Sequence, residues 1–233
     1  MIRRTVADVA RTLDHAVLKP EYTAADLAKH ARMCVDRGVG CLCVRSCDVA
    51  EAVTLVAGSP VVVAAVVGFP HGGQRPEVKA FEAQLAIADG AREIDMVMNV
   101  GALRSGQLDL VRHDISAVVA AAKPAGALVK VILEICYLTS DEIGAACLLA
   151  EEAGADFVKT STGFGVKASG PTGATKEAVQ IMLDTVGDRL RVKASGGIRT
   201  WDDAVAFLDM GCTRLGVGDA AAILDGRPAA GSY

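Results

Sequence analysis

The sequence predicts a (β/α)8 barrel, and three observations carry the prediction. Short apolar, β-branched runs alternate along the chain with longer Ala-rich stretches of helical period, the mark of βα units wound on a parallel sheet. There are eight such runs, and 233 residues suit one closed barrel, so residues 1–233 are read as a single domain. Hydrophobic residues make up 52% of the chain and aromatics only 4%, so the core must be built from Ala, Val, Ile and Leu. That balance favours parallel strands buried on both faces over an aromatic-rich sandwich.

Taken in order, the predicted strands are 13–18, 41–44, 61–68, 94–98, 129–135, 157–160, 191–194 and 213–217. The predicted helices between them are 24–37, 49–57, 77–89, 108–122, 141–153, 176–186 and 201–209, with a last one after Gly218. Gly38, Gly58, Gly90, Gly154, Gly187 and Gly211 stand where C-caps are needed. The alternative, an open doubly wound sheet, needs a glycine fingerprint early in the chain. Here Gly216-Val217-Gly218 comes at the last strand, with no βαβ unit after it. Residues 226–233 read as a mobile tail.

A formal net charge of −4 leaves no broad positive field for a nucleic acid or an anionic membrane. The longest apolar run, 61–68, falls far short of the roughly 20 residues of a membrane span. Seven cysteines without CxxC spacing read as reduced thiols, which predicts a cytoplasmic protein.

Four predicted strands contain residues that break the apolar pattern: Asp14, Asp95, Lys159 and Lys193. A charge inside a barrel strand is either a structural ion pair or part of an active site, and active sites of this fold gather at the C-terminal strand ends. Two neighbouring ammonium groups repel, so one lysine is expected to lose its proton near neutral pH and become a carbonyl nucleophile. That predicts a Schiff-base aldolase with no metal. His15, His30, His71 and His113 lack the H-x-H or H-E-x-x-H spacing of a metal site; His30 and His113 fall in predicted helices, and His15 and His71 lie beside strand ends. Glycine-rich segments follow the last three strands, at 161–175, 195–200 and 216–220. They either permit tight turns or present backbone N–H groups to a phosphate. Asp219 opposes the second use unless it points away or pairs with Arg199 or Arg214.

The segments LDHAVLKP (13–20), VVGFPHG (66–72), EVKAFEAQLAIADGAREIDMVMNVGAL (77–103), KVILEICYLT (130–139), FVKTSTGF (157–164) and VKASGGIRT (192–200) resemble, in order, motifs of the deoxyribose-phosphate aldolase family. The resemblance implies that Lys159 forms the Schiff base, with Lys193 as the second lysine and Asp95 as the carboxylate that moves protons with them. It implies reversible cleavage of 2-deoxy-D-ribose 5-phosphate into D-glyceraldehyde 3-phosphate and acetaldehyde, without metal or organic cofactor. Gly163, Gly196, Gly197 and Gly218 are then the phosphate donors, and Asp14, Cys43 and the terminal Tyr233 are further site candidates. The partners are small aldehydes and phosphosugars, with a homo-oligomer, dimer or tetramer, as the assembly. Three departures stand out: Ala16 where the family has a threonine, Cys43-Val44-Arg45-Ser46-Cys47 after strand two, and Gly218-Asp219 where a serine-containing turn is usual. Competing readings are a phosphosugar isomerase or epimerase on the same barrel and a catalytically silent binding barrel.

Overall fold

The computed structural model describes residues 4–167 and 169–229. Eight parallel strands, β1 Leu13–Val17, β2 Cys41–Val44, β3 Val62–Val67, β4 Glu93–Val97, β5 Leu128–Ile132, β6 Phe157–Lys159, β7 Arg191–Ser195 and β8 Arg214–Val217, pair with their sequence neighbours. The sheet closes where β1 pairs with β8, Leu13 opposite Leu215 and Asp14 opposite Gly216. The helices among the described residues are α1 Val6–Ala10, α2 Ala24–Arg37, α3 Val49–Leu55, α4 Pro76–Ala88, α5 Val100–Arg104, α6 Leu108–Ala122, α7 Ser140–Glu152, α8 Lys176–Val186, α9 Trp201–Met210 and α10 Ala220–Leu224. The predicted barrel is therefore the observed one, with strand ends displaced by a few residues.

Helix starts follow from local chemistry. Thr5, Thr23, Thr139 and Thr200 each cap the backbone three residues on, while Asp8, Asp26, Glu142 and Asp203 bond back, so two orphan N–H groups are satisfied at each end. Two short helices lie outside the predicted elements. One, α1, precedes the first strand; the other, α5, is started by the Asn99 side chain, which accepts from Ala102 N.

Alternation along the strands divides the core in two. Outward residues such as Leu13, Val17, Leu42, Val63, Ile94, Met96, Val129, Val131 and Leu215 are buried beneath the helices in the main apolar layer. Inward residues of β1–β3 form a smaller apolar cluster of Ala16, Leu18, Cys41, Cys43, Ala64 and Val66, packed against Phe69 and Phe164. The inward rows of β4–β8 instead carry Glu93, Asp95, Lys130, Lys159, Lys193 and Arg214. With Asp14 of β1 joining them, these residues make one part of the barrel interior ionic, and the rest is apolar.

Of the expected tail, residues 226–229 are described, and Ala229 N donates to the Arg199 carbonyl at 2.8 Å. Among the described residues, no helix is long and apolar enough to cross a membrane.

Candidate active site

Strand register brings the ionic residues together. Lys159 lies opposite Lys193, Asp95 opposite Lys130, and Lys193 opposite Arg214. Neighbouring strands are about 4.8 Å apart, so like charges in such rows need carboxylates between them. Asp95 supplies one: its Oδ2 accepts from Lys159 Nζ and Lys193 Nζ at 2.7 Å each, and its Oδ1 from Lys130 Nζ at 2.7 Å. Lys193 also donates to Asp14, whose Oδ1 accepts from Arg214 Nε at 2.7 Å. Arg214 continues to Glu93 at 3.0 and 3.2 Å, and Glu93 closes the ring by pairing with Lys130. Asp14, Asp95, Lys130, Lys159 and Lys193 are all 0% exposed.

Four cations, Lys130, Lys159, Lys193 and Arg214, thus meet three carboxylates, Asp14, Glu93 and Asp95, leaving one positive charge in excess. Lys159 is the member set apart. Among the described residues its Nζ has Asp95 as its one hydrogen-bond partner, whereas Lys130 and Lys193 each reach at least two carboxylates. It is also the last residue of β6, at the strand end where sites of this fold open. Removing its proton therefore cancels the excess charge and breaks the fewest contacts.

The expectation that repulsion alone frees this amine is corrected. Burial pushes the Lys159 ammonium down, but the adjacent Asp95 carboxylate outweighs it and holds the group above the ordinary lysine range. Lys130 is held well above that range against burial by Asp95, Asp14 and Glu93. Burial would raise Asp95, but the three lysines around it hold it well below the usual carboxylate range. Lys159 and Asp95 are thus held in their charged forms, and a proton must be moved before Lys159 can attack.

A cavity of about 340 Å³ is formed by the segments that follow β6 and β7, lined by Gly163, Thr172, Gly173, Gly196, Gly197 and Arg199 among others. Glycine is required at its wall. A Cβ on Gly173 would stand 2.2 Å from the Gly196 carbonyl oxygen, and Gly196 itself has φ 82°, so neither position accepts a side chain without backbone movement. Gly218 is not among the lining residues. Asp219 does not face a ligand, because its carboxylate caps α10 by accepting from Ala222 N at 3.0 Å. Nor is Arg214 its partner, being held in the ring.

Other candidates are placed differently. Cys43 is buried inside the barrel, its Sγ 4.0 Å from Asp95, and burial with that carboxylate pushes the thiol up to about 11. Cys47 is exposed, but desolvation and Asp48 raise it too, so neither thiol is activated. Ala16 belongs to the apolar inner cluster. Arg45 adds no free cation at the rim, since it bonds Asp48 and the carbonyls of Lys19, Pro20 and Tyr22. His15 points outward from the barrel, 2.8 Å from His30 Nδ1. His71 lines a second cavity of about 60 Å³ with Glu134, Tyr137 and Thr162. Tyr233 lies outside the described residues. Asp14, Cys41 and Glu93 come close enough to share a metal ion, but Lys130 and Arg214 already occupy both carboxylates and oppose a further cation.

Sequence reasoning missed Lys130, Glu93 and Arg214. The signal that picked out Asp95 was present for each: a charge in or beside an apolar strand. It also missed Glu134, whose φ of 54° no sequence pattern announces.

The DeoC/LacD family aldolase model matches residues 9–216. A deoxyribose-phosphate aldolase of Streptococcus gordonii is 48% identical over 221 residues, 95% of this chain and 97% of that one. One from Geobacillus sp. is 46% identical over 226 residues, 97% of this chain and 99% of its own. The tetrameric deoxyribose phosphate aldolase of Aeropyrum pernix superposes with a TM-score of 0.86 at 32% identity, covering 95% of this chain and 91% of that one. A barrel with paired lysines on a shared carboxylate, matched over nearly its whole length in sequence and in shape, belongs to the DeoC/LacD aldolase family of lyases.

Proposed function

We propose that this aldolase reversibly cleaves 2-deoxy-D-ribose 5-phosphate into D-glyceraldehyde 3-phosphate and acetaldehyde through a Schiff base on Lys159. The names of the relatives support the substrate. The observation that carries the mechanism is the single carboxylate oxygen, Asp95 Oδ2, shared by two lysines of which one has no other hydrogen-bond partner among the described residues.

The Lys159 proton leaves the cluster by way of Asp95, its hydrogen-bond partner, while Lys193 and Lys130 keep that carboxylate oriented and its neighbourhood positive. The amine attacks the substrate aldehyde at C1; the carbonyl oxygen takes up protons and leaves as water, giving an iminium ion. The C2–C3 bond then breaks, its electron pair neutralising the iminium to an enamine as the C3 hydroxyl gives up its proton. Glyceraldehyde 3-phosphate departs. Protonation of the enamine at C2 and hydrolysis release acetaldehyde and the free lysine. Asp95, which accepts from both lysines, and Lys193 are the groups that carry these protons. The iminium is the electron sink, so the sequence of steps calls for no metal or organic cofactor. The phosphate takes the glycine-lined cavity, with N–H groups of Gly163, Gly196 and Gly197 and the Arg199 guanidinium as its donors. Tyr233 stays a candidate for proton exchange at C2.

A homo-oligomer belongs to the same reading, supported by the tetrameric relative. So does a cytoplasmic location, supported by seven cysteines that are all unpaired.

Borohydride reduction in the presence of acetaldehyde should leave an ethyl group on Lys159, located by peptide mass spectrometry. Lys159→Arg keeps a charge but cannot deprotonate, so labelling should vanish and kcat/KM should fall by at least about 10⁴-fold. Comparable turnover in that variant, or unlabelled wild-type enzyme, would sink the Schiff-base reading and leave an acid–base isomerase as its successor.

A further inference from the structure

The segment after β6 carries Gly163 to the phosphate cavity; the end of β7 holds its start, where Ser195 Oγ donates to the Ser161 carbonyl at 2.6 Å, and the segment after β5 holds it from the other side. Leu133 N donates to the Lys159 carbonyl at 2.9 Å and Ile135 N to that of Thr160 at 3.0 Å, so the two chains run together past the end of the sheet. Between them Glu134 turns into the left-handed region, φ 54° and ψ 60°, the one non-glycine residue described with positive φ. Glycine suits that conformation and a long side chain does not, so the side chain is kept for something it does.

The Glu134 carboxylate, 3% exposed, accepts the Thr162 hydroxyl, and its Oε1 accepts from Thr162 N at 3.2 Å. Thr162 Oγ1 in turn accepts from Phe164 N at 2.9 Å, and the Tyr137 hydroxyl accepts from Val166 N at 2.9 Å. At Gly165 the two segments touch so closely that a Cβ would lie 2.8 Å from Cys136 Sγ and 3.4 Å from Glu134 Cδ. Residues 134–137 therefore grip residues 162–166 at both ends, with Gly163 inside the grip.

We propose that Glu134 is a positioning residue, whose carboxylate locks Thr162 and so fixes the Gly163 backbone that meets the substrate phosphate. The inference rests on the phosphate assignment above. It predicts a split between substrates. Loosening the grip should weaken binding of phosphorylated deoxyribose and leave the phosphate-free sugar almost untouched, because only the former uses Gly163.

Two variants test it. Glu134→Gly suits the backbone angle, so it should fold, yet it removes the carboxylate; KM for deoxyribose 5-phosphate should rise about tenfold, while kcat/KM for deoxyribose changes less than about twofold. Glu134→Gln keeps an acceptor for Thr162 N and can donate to Oγ1, and should restore KM to within about threefold of wild type. Tyr137→Phe, which releases the other end of the grip, should raise KM for the phosphorylated sugar by about two- to threefold. Equal changes for both sugars in Glu134→Gly, or none for either, overturn the proposal. If Glu134→Gly fails to fold, an unaltered KM for the phosphorylated sugar in Tyr137→Phe overturns it alone. Wild-type enzyme that labels with acetaldehyde but does not distinguish the two sugars would instead remove the phosphate assignment itself.

Discussion

Two sets of fully buried lysine–carboxylate contacts sit on opposite faces of β4, and burial has opposite outcomes in them. Outside the barrel, between α4 and α6, Lys79 Nζ donates to Asp114 Oδ2 at 2.6 Å and to the Val97 carbonyl at 2.8 Å, with side chains 0% and 1% exposed. Burial wins there: it pushes the Lys79 ammonium below its usual range and the Asp114 carboxyl above its own, despite each facing the other. Inside the barrel, Asp95 faces three lysines and is driven the other way. For Lys79 and for Asp114 one counter-charge does not offset desolvation, whereas for Asp95 three lysines do. The isolated pair is an anchor, tying α4 and α6 to the end of β4, where Asn99 N also meets Asp114 at 3.1 Å. The shared set can pass a proton among its members while remaining paired.

The largest test of that distinction removes one lysine from each region. Lys130→Met and Lys79→Met should each cost about 3–5 kcal/mol of unfolding free energy in urea, since each leaves a buried carboxylate short of a partner. Only Lys130→Met should alter catalysis as well. Without it Asp95 binds Lys159 more tightly and a repelling cation is lost, so the acid limb of the pH–rate profile, where Lys159 gains its proton, should move to higher pH. In Lys79→Met, kcat should stay within about threefold of wild type, and Asp114→Leu added to it should recover most of the lost stability. Equal pH shifts in both single variants would erase the distinction.

Lys193→Leu sharpens the comparison within the ring. It leaves Asp95 with Lys159 and Lys130, so Lys159 again holds its proton more firmly. We expect kcat to fall by about 10²-fold, with the profile displaced to higher pH. A lowered but unmoved profile would mean that Lys193 acts on the substrate and not on the nucleophile.

How much of this was legible in the sequence differs by level. Barrel, strand count and helices were readable because apolar period and capping residues act locally, as Thr23 with Asp26 and Gly38 after α2 illustrate. Asp95, Lys159 and Lys193 were readable as charges in apolar strands. Lys130 was not singled out, although it stands amid VKVIL, because nothing local tells which carboxylate a lysine will meet. That depends on register, Asp95 opposite Lys130, which only the closed sheet fixes. The same gap explains the expected free amine: two lysines were visible as neighbours, but the carboxylate oxygen between them was not. Asp219 was left open for a local reason. A carboxylate beside a ligand loop can face the ligand or cap the next helix, and here it caps α10.

The smallest expected effect concerns a third buried titratable contact, one that carries no charge. His15 Nδ1 accepts from Ala220 N at 3.4 Å, so its proton lies on Nε2 and is donated to His30 Nδ1; both imidazoles are therefore neutral. Burial, with His30 beside it, pushes His15 down to about 3. The unfolded chain takes up that proton near pH 6.5. Between those values the unfolded state binds the extra proton, so stability present above roughly pH 6.5 is lost as pH falls, by about 2 kcal/mol at pH 5. The carboxylates of the ring stay charged across this range even when unfolded, since their free values lie near 4. Loss between pH 6.5 and 5 thus reports His15 and His30, and loss below about 4 the carboxylates, those of the ring among them. His15→Gln, which has no titrating group, should flatten the first part of a urea-unfolding series against pH and leave the second. An unflattened first part would show that His15 is already protonated in the folded protein, and that the contact with His30 is then an ion-assisted hydrogen bond and not a neutral one.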